Sequence, residues 1–168
     1  LDEPTSGLMI VALDEKMQER LKADLEKRLG SRRYLAIAAG EISTSFEVRN
    51  QLVRNRGDGL RGSGSDGKDA ATMFLPQERL KGSTLVEAVM ETGRTHQIRI
   101  HLSESGHPVL GEHLYASKGV QSKAPRLALH AWKLSFKHPG TGRAMEFEAP
   151  LADDLEQLRR RLAMNSPG

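Results

Sequence analysis

The composition of the chain predicts one folded domain and excludes sulfur chemistry. Of its 168 residues, 38% are hydrophobic, which is enough to build one sizeable core. The absence of cysteine excludes disulfides, thiolate nucleophiles and thiolate zinc sites. The net charge of +3 is compatible with a polyanionic partner but does not require one. No apolar run reaches the roughly 18 residues that a membrane span needs, so we expect no membrane partner and a cytoplasmic location.

The first third of the chain predicts a strand, a helix and two further strands. The apolar run GLMIVAL at residues 7–13 predicts a buried strand. Apolar residues at helical spacing over residues 15–29 predict an amphipathic helix, with Gly30 as its C-terminal cap. Residues 33–39 predict another strand, and residues 43–53 predict a strand at the sheet edge.

The middle of the chain predicts a loop followed by a β-meander. Residues 57–67, GDGLRGSGSDG, are rich in glycine, serine and aspartate and predict a mobile loop. Such a loop either closes on a ligand or simply connects two strands. Residues 70–75 and 84–90 have the apolar pattern of strands, and the polar stretch between them, residues 77–83, is typical of a hairpin.

The last third predicts a short helix, two strands and a terminal helix. Residues 95–103 show helical spacing, and residues 127–136 and 145–148 predict strands around a tight turn. Asp153 begins a helix with acidic residues first and arginines last, the order that suits the helix dipole. These elements predict an α+β fold with mostly antiparallel strands.

Two polar segments are candidates for chemistry. Asp2 lies in LDEPTSG, directly before the first predicted strand, and is either part of an Asx-type turn or a carboxylate held for reaction. Residues 92–102, TGRTHQIRIHL, crowd arginines, histidines and polar donors together. His96 and His101 are five residues apart with no glutamate between them, so the segment does not match the HExxH zinc motif. We therefore expect no metal site.

Several motifs together resemble the RluA-type family of RNA pseudouridine synthases. LDEPTSG is similar to the downstream part of the HRLD-x-x-TSG signature, and RRYLAIAAG is similar to the tyrosine-bearing segment of that family. GKDAAT, TGRTHQIRIHL, GHPVLGEHLY and PRLALHAWKLSFKHPGTG follow in the family's order and spacing. The His and Arg that precede LD in the signature lie outside the chain. We therefore expect a catalytic domain, residues 1–168, that lacks its N-terminal portion.

The resemblance implies a fold, an activity and roles for named residues. The fold would be a mixed, mainly antiparallel central sheet flanked by helices, and the activity would be isomerisation of uridine in RNA without a cofactor. Asp2 would be the catalytic aspartate, Tyr34 the residue that stacks on the base, Arg99 the partner of the aspartate and Leu102 an apolar wall. Glu112 occupies the acidic position of the family's GDxxY motif.

The resemblance also implies an RNA partner, ribosomal RNA first and transfer RNA second, bound by a monomer. The expected RNA contacts are polar or basic side chains that lie mainly in the matched motifs: Lys68, Thr72, Arg94, Thr95, His96, Gln97, His107 and Arg126. Two other functions remain open. A non-catalytic RNA-binding module would keep the fold without turnover, and a carboxylate hydrolase would need a second acid positioned near Asp2.

Overall fold

The described part of the protein, residues 1–27 and 29–164 of a computed structural model, is built on one sheet. It contains four helices and eight strands, in agreement with the α+β prediction. The helices are α1 (Glu15–Glu26), α2 (Gln97–Glu104), α3 (Lys118–Gln121) and α4 (Asp153–Met164). The strands are β1 (Ser6–Gly7), β2 (Ser31–Ala39), β3 (Phe46–Val53), β4 (Gly62–Ser63), β5 (Lys68–Leu80), β6 (Ser83–Met90), β7 (Leu129–Lys137) and β8 (Ala144–Glu148).

The sheet follows the order β1-β7-β2-β6-β5-β3-β4, with β8 also paired to β7. The pairing of β1 with β7 is parallel, and the other ladders are antiparallel. This mixed, mainly antiparallel sheet confirms the predicted fold class. Long strands β5 and β6 turn tightly at residues 81–82, so the predicted hairpin loop of residues 77–83 is mostly strand.

The predicted strand at residues 7–13 is wrong beyond its first residue. Only Ser6–Gly7 pairs with β7, at His130 and Ala131. The same edge of β7 then pairs with β8, starting at Lys133, so no edge remains for a longer β1. Residues 8–13 consequently run without a ladder, and Met9 is 67% exposed although the sequence pattern predicted burial.

The first helix ends earlier than its apolar spacing predicted. Helix α1 stops at Glu26, with Lys27 as its C-cap, and Arg28 lies outside the described residues. Gly30 is therefore not the capping glycine. A Cβ there would lie 2.2 Å from the carbonyl oxygen of Ser135, so glycine at this position allows β2 to approach β7 closely.

The main hydrophobic core lies between the central strands and helices α2 and α4. Its buried residues come from β2, β5, β6, α2, the segment before β7 and α4, and include Ile37, Phe74, Val86, Leu102 and Leu155. Both β2 and α2, which are far apart in the sequence, pack on this core. Near the start of α2, Arg99 faces Asp2 in the segment before β1.

Candidate active site

A cavity of about 340 Å³ opens where the N-terminal segment, β2 and the start of α2 meet. Asp2, Tyr34, His96 and Arg99 line it, although they are up to 97 positions apart in the sequence. The sequence-predicted catalytic aspartate, stacking tyrosine and partner arginine thus share one cavity. Its apolar lining comes from Met90, Ile98 and Leu129, together with Leu1.

Asp2 is held by a short turn that the rest of the chain anchors. The backbone N–H of Thr5 donates to the Asp2 carbonyl at 2.9 Å, which closes the turn. Arg126 then fastens the following residues by donating to the Pro4 carbonyl at 3.1 Å and to Ser6 Oγ at 3.0 Å. Arg126 is itself paired with Asp154 at 2.7 Å. Arg126 thus anchors the turn that carries Asp2, and its predicted contact with RNA stays a prediction.

Arg99 joins the two acidic groups of the site. It is 2% exposed, and its Nε and Nη2 each donate to Glu112 at 2.7 Å in a bidentate pair. Its Nη1 lies 3.6 Å from Asp2 Oδ2. Burial lowers the pKa of Arg99, but the hydrogen bonds and charge of Glu112 outweigh burial and the net shift is upward. Arg99 therefore stays charged and faces Asp2 with its remaining donors.

Glu112 is a buried carboxylate whose acceptors are all used by the protein. Besides Arg99, the backbone N–H of Leu114 donates to it at 2.8 Å, and its exposed fraction is 0%. Burial raises the pKa of Glu112, but the bonds from Arg99 and Leu114 outweigh burial and the net shift is downward. Glu112 is thus an ionised partner of Arg99 and is not presented to the cavity as a second reacting acid.

His96 lies between Asp2 and an aromatic ring that sequence reasoning missed. Its Nδ1 is 2.6 Å from the Tyr115 hydroxyl, and its Nε2 is 3.8 Å from Asp2 Oδ1. Burial lowers the pKa of His96, with the negative charge of Asp2 acting in the opposite direction. The guanidinium carbon of Arg99 also lies 5.5 Å from the centre of the Tyr115 ring. Tyr115 follows Glu112 in the GEHLY segment, which was the available sequence signal.

Tyr34 projects from β2 into the same cavity as Asp2. Its neighbours in the ladders are Ala88 on β6 and Ala131 on β7, and these small residues leave space around its ring. Burial raises the pKa of Tyr34, with the nearby Arg32 acting in the opposite direction. The phenol is therefore neutral at ordinary pH.

Two of the predicted RNA contacts, Thr72 and Gln97, are buried in a hydrogen-bond network. Their exposed fractions are 0% and 1%; Gln97 still lines the Asp2 cavity, whereas Thr72 does not. Gln97 Nε2 donates to Thr72 Oγ1 at 2.9 Å, and its Oε1 accepts from the Thr92 hydroxyl and the Arg94 backbone N–H. The network therefore shapes the turn at residues 92–96 that carries Arg94 and His96.

The network continues through His101, which is fully buried. Its Nδ1 is 2.9 Å from Thr72 Oγ1 and its Nε2 is 2.9 Å from Asn50 Oδ1. Because the Asn50 oxygen can only accept, Nε2 carries the hydrogen and Nδ1 accepts from Thr72. Burial lowers the pKa of His101 to about 4, so the imidazole is neutral at ordinary pH.

The structure also separates Leu102 and His107 from the cavity. Leu102 is 0% exposed and belongs to the main core, so the predicted apolar wall is formed instead by Ile98, Met90 and Leu129. Helical geometry explains the change, because Ile98 lies one turn before Leu102 and nearer the start of α2. His107 Nδ1 donates to the Ala39 carbonyl, and the residue lines neither this cavity nor the one beside it.

A second cavity, of about 360 Å³, adjoins the first and is strongly basic. The two cavities share Gly93, Arg94 and Thr95, and the second adds the predicted RNA contact Lys68. Arg54 and Arg61, which were not predicted as site residues, also line it, with Asp66 as an acidic residue of its lining. We call Arg54, Arg61, Lys68 and Arg94 the basic groove.

The loop that forms one side of the basic groove is held by hydrogen bonds to its own Asn55 and to α2. Asn55 Oδ1 accepts from the backbone N–H groups of Gly57 and Gly59, and Ser63 N–H donates to Glu104 of α2 at 3.0 Å. Residues 62–63 also form β4, so the segment predicted as a loop contains a short strand. Its mobility stays a prediction.

No group of three or more metal-binding side chains capable of holding an ion occurs among residues 1–27 and 29–164. Within the same ranges, no helix is both long and apolar enough to cross a bilayer.

The fold belongs to a known structural class. The solved structure of human RNA Pseudouridylate Synthase Domain Containing 1 superposes with a TM-score of 0.77 and 27% sequence identity, covering 99% of this chain and 79% of that one. Human RNA Pseudouridylate Synthase Domain Containing 4 has a TM-score of 0.73 at 22% identity, over 92% of this chain and 70% of that one, and supports the fold alone.

The sequence identifies the family. The family model described as RNA pseudouridylate synthase matches residues 1–104, which is more than half of the chain. The chain therefore belongs to the RNA pseudouridylate synthase family.

Curated relatives are similar over nearly the whole chain. Ribosomal large subunit pseudouridine synthase D of Neisseria meningitidis serogroup A is 37% identical over 94% of this chain and 46% of its own length. The enzyme of the same name from Vibrio vulnificus is 39% identical, over 96% of this chain and 54% of its own length. An uncharacterized RNA pseudouridine synthase of Bacillus subtilis is 38% identical, over 98% of this chain and 55% of its own length. The chain thus spans about half the length of these relatives.

Proposed function

We propose that the protein isomerises uridine in RNA to pseudouridine, with Asp2 as the catalytic carboxylate. The observation that carries this proposal is the placement of Asp2 against Arg99, at 3.6 Å, in a cavity that Tyr34 also lines. Family membership and the names of the relatives support the same activity.

The proposed reaction needs one carboxylate and no group donor. Asp2 either attacks the ribose of the target uridine or accepts a proton from it, and the bond between N1 and C1′ breaks. The uracil then turns, C5 bonds to C1′, and the proton lost from C5 is balanced by the proton gained at N1. Arg99 orients Asp2 throughout, because Glu112 fixes the guanidinium from the other side.

The base must leave its stack to reach Asp2, and the cavity supplies another aromatic surface for it to stack on. Extruding a nucleotide costs a few kcal/mol in folded RNA. Stacking on an aromatic ring returns about 1 to 3 kcal/mol, and Tyr34 is the ring beside Asp2 in this cavity. The apolar residues Met90, Ile98 and Leu129 complete a pocket in which water is displaced from the flipped base.

The basic groove supports RNA as the substrate. It continues directly from the Asp2 cavity through Gly93, Arg94 and Thr95, so a strand whose base enters the cavity would lay its phosphates along Arg54, Arg61 and Lys68. The names of the relatives favour ribosomal RNA, with transfer RNA as the second choice. Ribosomal RNA as substrate implies action in the cytoplasm. One chain supplies all the proposed reacting groups, so a monomer suffices.

The test is the substitution Asp2→Asn, which keeps the shape of the side chain but removes its charge. We expect release of tritium from C5 of labelled uridine in ribosomal RNA transcripts to fall by at least about 1000-fold, because no other acid in the cavity is free to replace it. RNA binding, measured by filter retention, should change by less than about threefold. Turnover that survives the substitution removes Asp2 from the mechanism. Binding by the unsubstituted protein without any tritium release favours the non-catalytic alternative.

Tyr34→Phe refines the test because it keeps the ring and removes the hydroxyl. Stacking needs only the ring, so kcat should fall much less than in Asp2→Asn. Single-turnover rates on the same transcript compare the two variants. An equal or larger loss in Tyr34→Phe would assign the hydroxyl, and not the ring, to the chemistry.

A further inference from the structure

The backbone of His96 has a conformation that is uncommon for a residue with a side chain. Its φ of 59° and ψ of 18° lie in the left-handed region, and among the described residues it alone combines a positive φ with a side chain. It occupies the N-cap position of α2 but makes no side-chain capping bond. Strained backbone of this kind persists where the surrounding contacts require it, and here the contacts are made by the imidazole ring.

The two ring nitrogens of His96 face different partners. Tyr115 lies 2.6 Å from Nδ1, and burial raises the pKa of Tyr115, so the phenol keeps its proton and can donate a hydrogen bond to this nitrogen. A neutral imidazole that accepts at Nδ1 carries its hydrogen on Nε2. Nε2 is the nitrogen that faces Asp2 Oδ1, at 3.8 Å.

The Asp2 carboxylate therefore has one donor opposite each of its oxygens. Arg99 Nη1 faces Oδ2 at 3.6 Å, and His96 Nε2 faces Oδ1. Both distances exceed hydrogen-bond length by less than about 1 Å. Catalytic hydrogen bonds are often long without substrate and shorten in the complex, so a small movement of Asp2 suffices to form both.

The charges around Asp2 are suited to orienting its carboxylate and not to neutralising it. Glu112 already balances the charge of Arg99, and His96 is a neutral donor in the tautomer that Tyr115 favours. A second full cation would stabilise the carboxylate and weaken it as a nucleophile or base. A neutral donor fixes its direction without that effect.

We propose that His96 is a positioning residue, which donates from Nε2 to Asp2 and is held in the required tautomer by Tyr115. The inference rests on the proposed function and assigns to His96 a role different from the RNA contact that its sequence motif suggested. Tyr115 is therefore also part of the site, because its hydroxyl contacts the ring of His96.

The first experiment is His96→Gly, because glycine adopts the left-handed conformation freely. The variant should fold with an unchanged or higher Tm, while kcat for tritium release falls by about 10-fold or more and KM stays within about twofold. Unchanged kcat overturns the proposal, and so does a loss that lies wholly in KM, which would return His96 to RNA binding.

Tyr115→Phe tests the coupling, since it keeps the ring against Arg99 and removes the hydroxyl that fixes the tautomer. We expect a smaller loss of kcat than in His96→Gly, and no additional loss when the two substitutions are combined. Losses that multiply in the double variant overturn the proposal, because they would mean that the two residues act independently.

Nitrogen NMR of histidine-labelled protein gives a readout that does not depend on turnover. The His96 ring should show the Nε2–H tautomer in the unsubstituted protein and a mixture of tautomers in Tyr115→Phe. An Nδ1–H tautomer in the unsubstituted protein overturns the proposal. Absence of tritium release from the unsubstituted protein on ribosomal and transfer RNA would count against the proposed function, and the tautomer then decides this inference separately.

Discussion

The two sides of the α2 segment differ in how their positively charged side chains are balanced. On the buried side, Arg99 is 2% exposed and bonded in two places to Glu112, which is itself fully buried. On the open side, the basic groove presents Arg54 and Lys68 to solvent, with no ion pair described for either. A buried cation needs an anion from its own chain, whereas an exposed one can leave that position to a ligand. The comparison separates cations that build the site from cations that we propose bind the substrate.

The largest effect should come from breaking the buried pair with Glu112→Gln. Arg99 would keep its charge in the interior with only the more distant Asp2, 3.6 Å from its Nη1, as an anion, and we expect the free energy of unfolding to fall by about 3 kcal/mol. Urea denaturation followed by circular dichroism measures the change. The matched control is Glu41→Gln, which removes an exposed partner of Arg79 and should cost less than about 1 kcal/mol. Similar costs for both variants would show that burial does not distinguish the two kinds of cation.

The buried side should also respond to pH through His101. Its pKa is about 4 in the folded protein and about 6.5 when unfolded, so between these values the unfolded chain binds the proton and the folded protein does not. The free energy of unfolding should therefore fall as the pH decreases from 6.5 towards 4, by roughly 1 kcal/mol per pH unit.

Denaturation curves at several pH values give this slope directly. The substitution His101→Gln should flatten it, because glutamine does not titrate. An equally steep slope in His101→Gln would place the titrating group elsewhere.

The smallest effect should come from the open side. Replacing Arg54 or Lys68 by alanine should leave stability within about 0.5 kcal/mol, because both residues are exposed and such substitutions away from structural contacts cost little. Each should weaken RNA binding several-fold and reduce the slope of log K against log salt by about 1, the signature of one lost phosphate contact.

Fluorescence anisotropy with a uridine-containing RNA over a salt series measures both quantities. The matched control is Arg143→Ala, in the turn between β7 and β8 at the opposite end of the sheet, which should change neither. Equal loss of affinity in the control would show that the basic groove contributes only general surface charge.

Local pattern predicted most of the secondary structure, and the family resemblance pointed to three residues that line one cavity. Helices α1, α2 and α4 and strands β2, β3, β6 and β7 lie close to their predicted positions, because side-chain periodicity is a local property. The motifs around Asp2, Tyr34 and Arg99 were recognisable because each is contiguous. The failure at residues 8–13 has a non-local cause, since a strand needs a free edge and β8 occupies it.

By itself, the sequence determined the fold class, the family and the three residues that meet in the cavity. Only the tertiary structure decided which side chains face that cavity and which support it from behind: Leu102 turned into the core, Gln97 and Thr72 became an internal network, and Glu112 and Tyr115 came to flank Arg99 and His96. The physical reason is that burial and ion pairing depend on distances across the sheet. Those distances join residues that no local spacing relates.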